Sequence, residues 1–318
     1  MPRGEQSMVP EIEFESYYGR PILKEPTWKT PDVPLYLFLG GLAGCSALLA
    51  EGAALSGRPE LERVARLAAA GGAAAGTVAL VHDLGRPERF LNMLRVFKPT
   101  SPLSVGSFIL SPFAAFASAA AASNVTGMVP RLGRLAGVGA AAFGPPLATY
   151  TAALVANTAA PAWHEAHREL PFVFGGSGAQ AAGGLAMILV ATDQAGPARR
   201  MAVAGAAIEL VAAEAMLRRG LVSEPYKIGM PGRLMRLARG ATIGATAATV
   251  VGGGRSRVVA ALAGGAYLAA SLLTRFGVFE AGRLSTRDPK YVVIPQKERL
   301  ARRETGGAAA HTQDQPAR

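Results

Sequence analysis

The sequence predicts an all-α, polytopic membrane protein with eight transmembrane helices. Three observations predict it. Half of the 318 residues are hydrophobic and only 17% are charged. The apolar residues gather into long unbroken stretches that approach or exceed the ~20 residues needed to span a bilayer as helix. Those stretches are rich in Ala and Gly, as in LAAAGGAAAGTVALV, and small residues let helix backbones approach closely in lipid. The formal net charge of +11 is expected to lie in loops and orient the chain. It does not argue for nucleic acid as a partner.

Residues 1–33 read as an extramembrane arm, and the first 30 are polar. Insertion is expected to use the first span itself, since no signal peptide precedes it. Eight spans follow, at roughly 34–57, 62–82, 103–123, 134–159, 171–193, 198–219, 236–253 and 257–279. Together they make a transmembrane domain over 34–280. Residues 281–318 read as a polar tail, disordered in part. The single cysteine, Cys45, lies in the first span. It excludes an internal disulfide, and it excludes a cysteine-ligated iron–sulfur cluster, which needs about four thiolates.

The connectors are unequal. Those after spans one, three, five and seven are short. Those after spans two, four and six are LGRPERFLNMLRVFKPTS, PAWHEAHREL and RRGLVSEPYKIGMPGRLMR. With eight spans, these three share a membrane face with both termini, and that face reads as a docking surface. The count of Lys and Arg, with Arg275 onward included, is higher there. The positive-inside rule then puts that face and both termini in the cytoplasm.

Five segments carry a resemblance. SYYGRPILKEPTW, LYLFLGGLAGCSALLA, HDLGRPERFLNMLRVFKPTSPLSVGSFIL, YTAALVANTAAPAWHEAHRELPFVFGGSGAQAAGG and SEPYKIGMPGR occur in this order between about residues 14 and 235. In these the chain resembles the NrfD-type, polysulfide-reductase-like, membrane subunits. The resemblance implies a quinone-reactive anchor in a bacterial inner membrane, with no haem, iron–sulfur cluster or metal of its own. It implies two partners, a ferredoxin-like subunit with four iron–sulfur clusters and a molybdopterin catalytic subunit. Menaquinone is the expected quinone, from an Ala, Gly and Arg bias typical of high-GC bacteria.

Candidate residues follow. His82, Asp83 and Arg86 end span two, where a proton donor or acceptor would sit; an Asp83–Arg86 structural pair is the rival reading. Arg89, Arg95, Lys98 and Arg168 could face an acidic partner. Tyr36 begins span one and is either an interfacial belt residue or a hydrogen-bond donor to a quinone carbonyl. Tyr150 lies inside span four and needs a partner for its hydroxyl, a quinone oxygen or a backbone carbonyl. His164, in WHEAHREL, is placed at the pocket or the partner contact. Its spacing from His167 is not that of a zinc motif, and no metal is expected.

Glu51, Asp193, Glu209 and Glu214 fall at membrane depth or its edge. There a carboxylate is costly and is either paired, neutral or functional. As a set they suggest a proton path. A secondary transporter or proton channel using these carboxylates is the competing function, and a purely structural anchor is a third. No sequence repeat between 30–160 and 165–280 supports the transporter.

Overall fold

The computed structural model describes residues 22–84 and 88–300. Among them there is no strand, and eight helices of twenty or more residues dominate: α1 (Asp32–Leu55), α2 (Pro59–Asp83), α4 (Pro102–Thr126), α5 (Pro130–Ala156), α7 (Leu170–Leu189), α8 (Gly196–Leu217), α9 (Gly229–Val251) and α10 (Arg257–Arg287). Two short helices, α3 (Arg89–Met93) and α6 (Pro161–Glu165), and a 3-10 helix (Gly220–Tyr226) lie in the longer connectors. Proline opens several helices in the first turn (Pro59, Pro102, Pro130, Pro161), where its missing N–H costs nothing.

Six of the eight are long and apolar enough to cross a membrane; α8 and α9 are not. Of the eight expected spans, six therefore meet the length and composition of a membrane helix. Helix α8 carries Arg199, Arg200, Glu209 and Glu214, and α9 carries Arg233, Arg236 and Arg239. These charges hold their mean hydropathy down. Helix α10 also runs past residue 280, where the membrane domain was expected to end, to Arg287, and residues 290–300 are helical again. Residues 301–318 lie outside the described part, as does Arg86.

The helices form two halves with the same internal pairing. In the first, α1 packs on α2, α4 on α5, and α1 on α5. In the second, α7 packs on α8, α9 on α10, and α7 on α10. Contacts of α1 and α5 with α7 join the halves. In each half the first and fourth helices meet at paired glycines, Gly44 with Gly144 and Gly184 with Gly264. A Cβ on any of the four would run into the facing backbone carbonyl. The close approach substitutes backbone contact for side-chain burial, the packing that lipid favours.

At one end of the bundle the arm before α1 meets the last turns of α10. Glu25 pairs with Arg283 (2.8 Å) and Arg287 (2.9 Å), and Thr30 donates to Glu280 (3.0 Å). Trp28 stacks on Trp163, which donates to the Val278 carbonyl at 2.7 Å. The Tyr226 hydroxyl donates to the Ala162 carbonyl at 3.0 Å. At the opposite end, arginines bond carbonyls at the end of α7, which the helix leaves without partners, and in the connector after it. Arg257 bonds the carbonyls of Met187, Ile188 and Val190, and Arg58 those of Asp193 and Gln194.

Candidate functional site

The end of α2 is tied to the segment ahead of α1. Asp83 Oδ1 accepts the backbone N–H of Lys29 at 2.9 Å, and His82 Nδ1 lies 2.8 Å from Asp32 Oδ2. Asp83 is half-buried, whereas the His82 side chain is 74% exposed. Both residues have identified partners in the fold. Below them, Tyr36 on α1 and Tyr150 on α5 are buried in one apolar cluster with Leu37, Leu80, Leu110 and Phe113. The Tyr150 ring lies against Gly106 of α4, and Tyr36 lies beside Gly76 of α2. Among the described residues neither hydroxyl has a hydrogen-bond partner. Neither oxygen is among the fully buried polar atoms without a partner, so each phenol is buried in the bundle while its hydroxyl reaches accessible space.

His164 is exposed, and its Nδ1 lies 3.2 Å from the Ala156 carbonyl oxygen. It lines a cavity of about 220 Å³ with Thr158, Tyr291 and Arg299, whose walls include neither Tyr36 nor Tyr150. The structure therefore does not bring His164 to the two tyrosines. Arg95, Lys98 and Arg168 are exposed at the same end of the bundle. The side chain of Arg89 lies outside the described residues. Among those described, no cluster of three or more His, Cys, Asp and Glu could hold a metal.

The four carboxylates do not form one line. Asp193 sits beyond the end of α7, in the connector to α8, and its side chain is exposed. The chain leaves the helix at Val190, whose backbone is extended. Glu51 is held in an ionic cluster at that same end. Arg66, only 5% exposed, lies 3.2 Å from Glu51 and 2.8 Å from Glu62, and also donates to the Gly133 carbonyl at 3.1 Å. Asp193 thus lies in a connector at this end of the bundle, and Glu51 takes the paired alternative, with a buried arginine as its partner.

Glu209 is the deep carboxylate, 4% exposed in the middle of the second half. Its Oε1 accepts from Thr274 Oγ1 at 2.7 Å, and its Oε2 accepts from Gln180 Nε2. Beside it lies Arg275, fully buried, whose field acts on Glu209. Arg275 donates through Nη2 to the Phe174 carbonyl at 2.7 Å and sits 3.8 Å over the Phe174 ring. Among the described residues its Nε and Nη1 have no partner. The charge tally had placed Arg275 at a membrane face. It lies inside the bundle instead, because α10 continues twelve residues beyond it. The signal was present in LLTRFGV, where a lone arginine has apolar neighbours on both sides.

Glu214 is one and a half turns from Glu209 but lies in a different environment. It is 39% exposed and pairs with Arg218 (3.1 Å) and Arg239 (3.0 Å). Both glutamates line one cavity of about 230 Å³ between α8 and α9. Of the four expected path residues, these two alone share a cavity wall. The chemistry available is thus a buried acid with two neutral donors and a cation nearby, and, in the other half, two free phenols under a carboxylate.

With this geometry in view, the comparisons give one match. The protein family described as polysulphide reductase, NrfD, matches residues 24–217, more than half of the chain. No curated protein matches it.

Proposed function

This chain is a member of the NrfD, polysulphide reductase, family, and on that premise we propose that it is the quinone-reactive membrane subunit of a respiratory oxidoreductase complex. It is a multi-pass membrane protein. In this reading α8 and α9 also cross the bilayer, each carried by its hairpin partner, α7 or α10. The end that carries the arm, Trp163 and Tyr226 receives a ferredoxin-like subunit with four iron–sulfur clusters. A molybdopterin subunit lies beyond that. Arg95, Lys98 and Arg168 supply positive charge to that interface, on the cytoplasmic side of a bacterial inner membrane.

The observation that carries the reading is the pair of buried phenols, Tyr36 and Tyr150, without partners beneath Asp83. A quinone, here proposed as menaquinone, has two carbonyl oxygens and needs hydrogen-bond donors for both. The two hydroxyls can donate to these oxygens and hold the ring between α1/α2 and α4/α5. Reduction consumes two electrons, delivered from the partner's cluster, and two protons. Asp83 stands between the phenols and the aqueous end, where it can pass protons if its bond to Lys29 opens. Glu209 is the candidate for proton movement deeper in the bundle. Glu214, held by two arginines, is a fixed charge at the surface.

The test is quinone-linked turnover by the purified complex. Tyr36→Phe and Tyr150→Phe should each lower menaquinol-linked activity at least ten-fold. Dye-linked activity of the catalytic partner should not change. Full quinone-linked activity in both variants would overturn the assignment of the pocket. One observation favours a second reading, a secondary transporter: the two halves share their pairing, and two buried charges, Glu209 and Arg275, sit in one of them. Proton-coupled solute flux in vesicles holding this chain alone would support that reading over the first.

A further inference from the structure

Helices α8 and α9 touch each other little, and each leans on its own partner, α7 or α10. The gap between them is the 230 Å³ cavity, walled by Leu210, Ala213, Leu217, Met235 and Ala238. That volume is below the ~300–1,000 Å³ of sites that enclose a whole small molecule. It suits a single hydrocarbon chain entering from the side. The mouth, by contrast, is strongly basic. Lys227, Arg236 and Arg239 lie on its rim, and Arg233 is on the preceding turn of α9. Arg239 shares Glu214 with Arg218. Arg236 donates to the Lys227 carbonyl at 3.0 Å. Among the described residues, Lys227, Arg233 and Arg236 have no carboxylate within ion-pair distance, and all three are exposed.

We propose that this cleft binds an acidic phospholipid, its phosphate held at Lys227 and Arg236 and one acyl chain lying between α8 and α9 toward Thr242. Three features point to this ligand together. Apolar walls exclude free phosphate as the natural occupant. Three cations without counter-ions would be wasted on a neutral lipid or a quinone head. Basic pockets between helices at a membrane surface are the usual form of acidic-headgroup sites. The bound chain would also close the gap through which Glu209, at the inner end, faces the surface near Glu214. The inference rests on α8 and α9 crossing the bilayer, as proposed above, and not on the quinone site, since no residue of the Tyr36–Asp83–Tyr150 group takes part.

The full chain would be reconstituted in vesicles of equal parts phosphatidylcholine and phosphatidylglycerol. It would then be extracted in mild detergent and weighed intact by native mass spectrometry. Phosphatidylglycerol should be retained in preference to phosphatidylcholine. Lys227→Gln and Arg236→Gln should each reduce that retention about five-fold. Ala213→Leu, which narrows the cleft and leaves the charges, should reduce it as well. Thermal unfolding of each variant would establish that it is folded. Equal retention of the two lipids would overturn the proposal. So would retention unaffected by the charge variants. Displacement by millimolar inorganic phosphate, with Ala213→Leu having no effect, would show a surface anion site and not a lipid cleft.

Discussion

Asp83, the last residue of α2, accepts the backbone N–H of Lys29, which lies in the arm just ahead of α1. The bond spans 54 residues of sequence and fixes the arm over the top of the first half. A carboxylate in this position has a structural duty and is also open to a chemical one, and substitution can separate the two.

Asp83→Asn keeps an acceptor oxygen for Lys29, whereas Asp83→Ala removes it and leaves the exposed N–H to water, at a cost of about 0.5–1.5 kcal/mol. The expected result is a thermal midpoint near wild type for Asp83→Asn and a lower one for Asp83→Ala. Quinone-linked turnover should fall in both. An Asp83→Asn complex with normal turnover would leave Asp83 with the structural duty alone.

Glu209 and Arg275 are buried charges of opposite sign that act on each other inside the second half without reaching ion-pair distance. Removing either leaves the other less compensated in a buried setting. Glu209→Gln should therefore destabilise the chain even though Gln180 can turn its amide and Thr274 can still donate. Arg275→Met should also destabilise it. The double variant should be more stable than the sum of the single effects implies. Additive losses in a double-mutant cycle, measured by thermal unfolding in detergent, would show that the two are not coupled.

The Gly44–Gly144 and Gly184–Gly264 contacts predict intolerance to a single methyl group. Gly144→Ala places a carbon against the Gly44 carbonyl, and overpacking of this kind costs about 1–3 kcal/mol. Gly52→Ala, where a Cβ meets nothing within 4 Å, is the control. The expected order of thermal midpoints is Gly52→Ala near wild type, with Gly144→Ala well below.

The arm should respond to acid through Glu25. Its hydrogen bonds to Arg287 and Arg283 hold its carboxyl below the ordinary value of 4.5. A depressed value means that the pairing stabilises the docked arm above about pH 4.5 and is lost as the pH falls through the lower, folded value. The chain has two tryptophans, Trp28 and Trp163, stacked with centroids 5.8 Å apart. Their fluorescence should therefore change on acidification below 4.5. Glu25→Gln should give the acid-form signal at neutral pH, and an unchanged spectrum in that variant would refute the link.

The positions of the eight long helices were legible because hydropathy tracks them directly, and the boundaries lie within a few residues of those expected except at α9 and at the end of α10. Burial of Tyr150 and Glu209 was legible for the same reason, whereas Tyr36, at a span's start, was equally consistent with an interfacial belt residue. Pairing was not. Whether Glu51 is a free acid or half of an ion pair depends on Arg66, fifteen residues away across a turn, and hydropathy is blind to that. The apolar run continues to Ala191 and brings Asp193 to the edge of a span, yet the helix stops at Leu189. Arg275 was read as a surface charge because its span was drawn too short. The cleft between α8 and α9 follows from a lack of contact, for which a sequence holds no local signal.

Helix α10 has 31 residues, which at 1.5 Å each makes a rod of about 46 Å, against a hydrocarbon layer of ~30 Å. One rigid rod thus bears Arg275 in the bundle and Arg283 and Arg287 outside it, where they grip the arm. A tilt imposed on its outer end by a docked subunit must be felt at Arg275 and at Thr274, the hydrogen-bond donor to Glu209. On the proposed docking at the arm end, the helix is a lever between that contact and the buried acid.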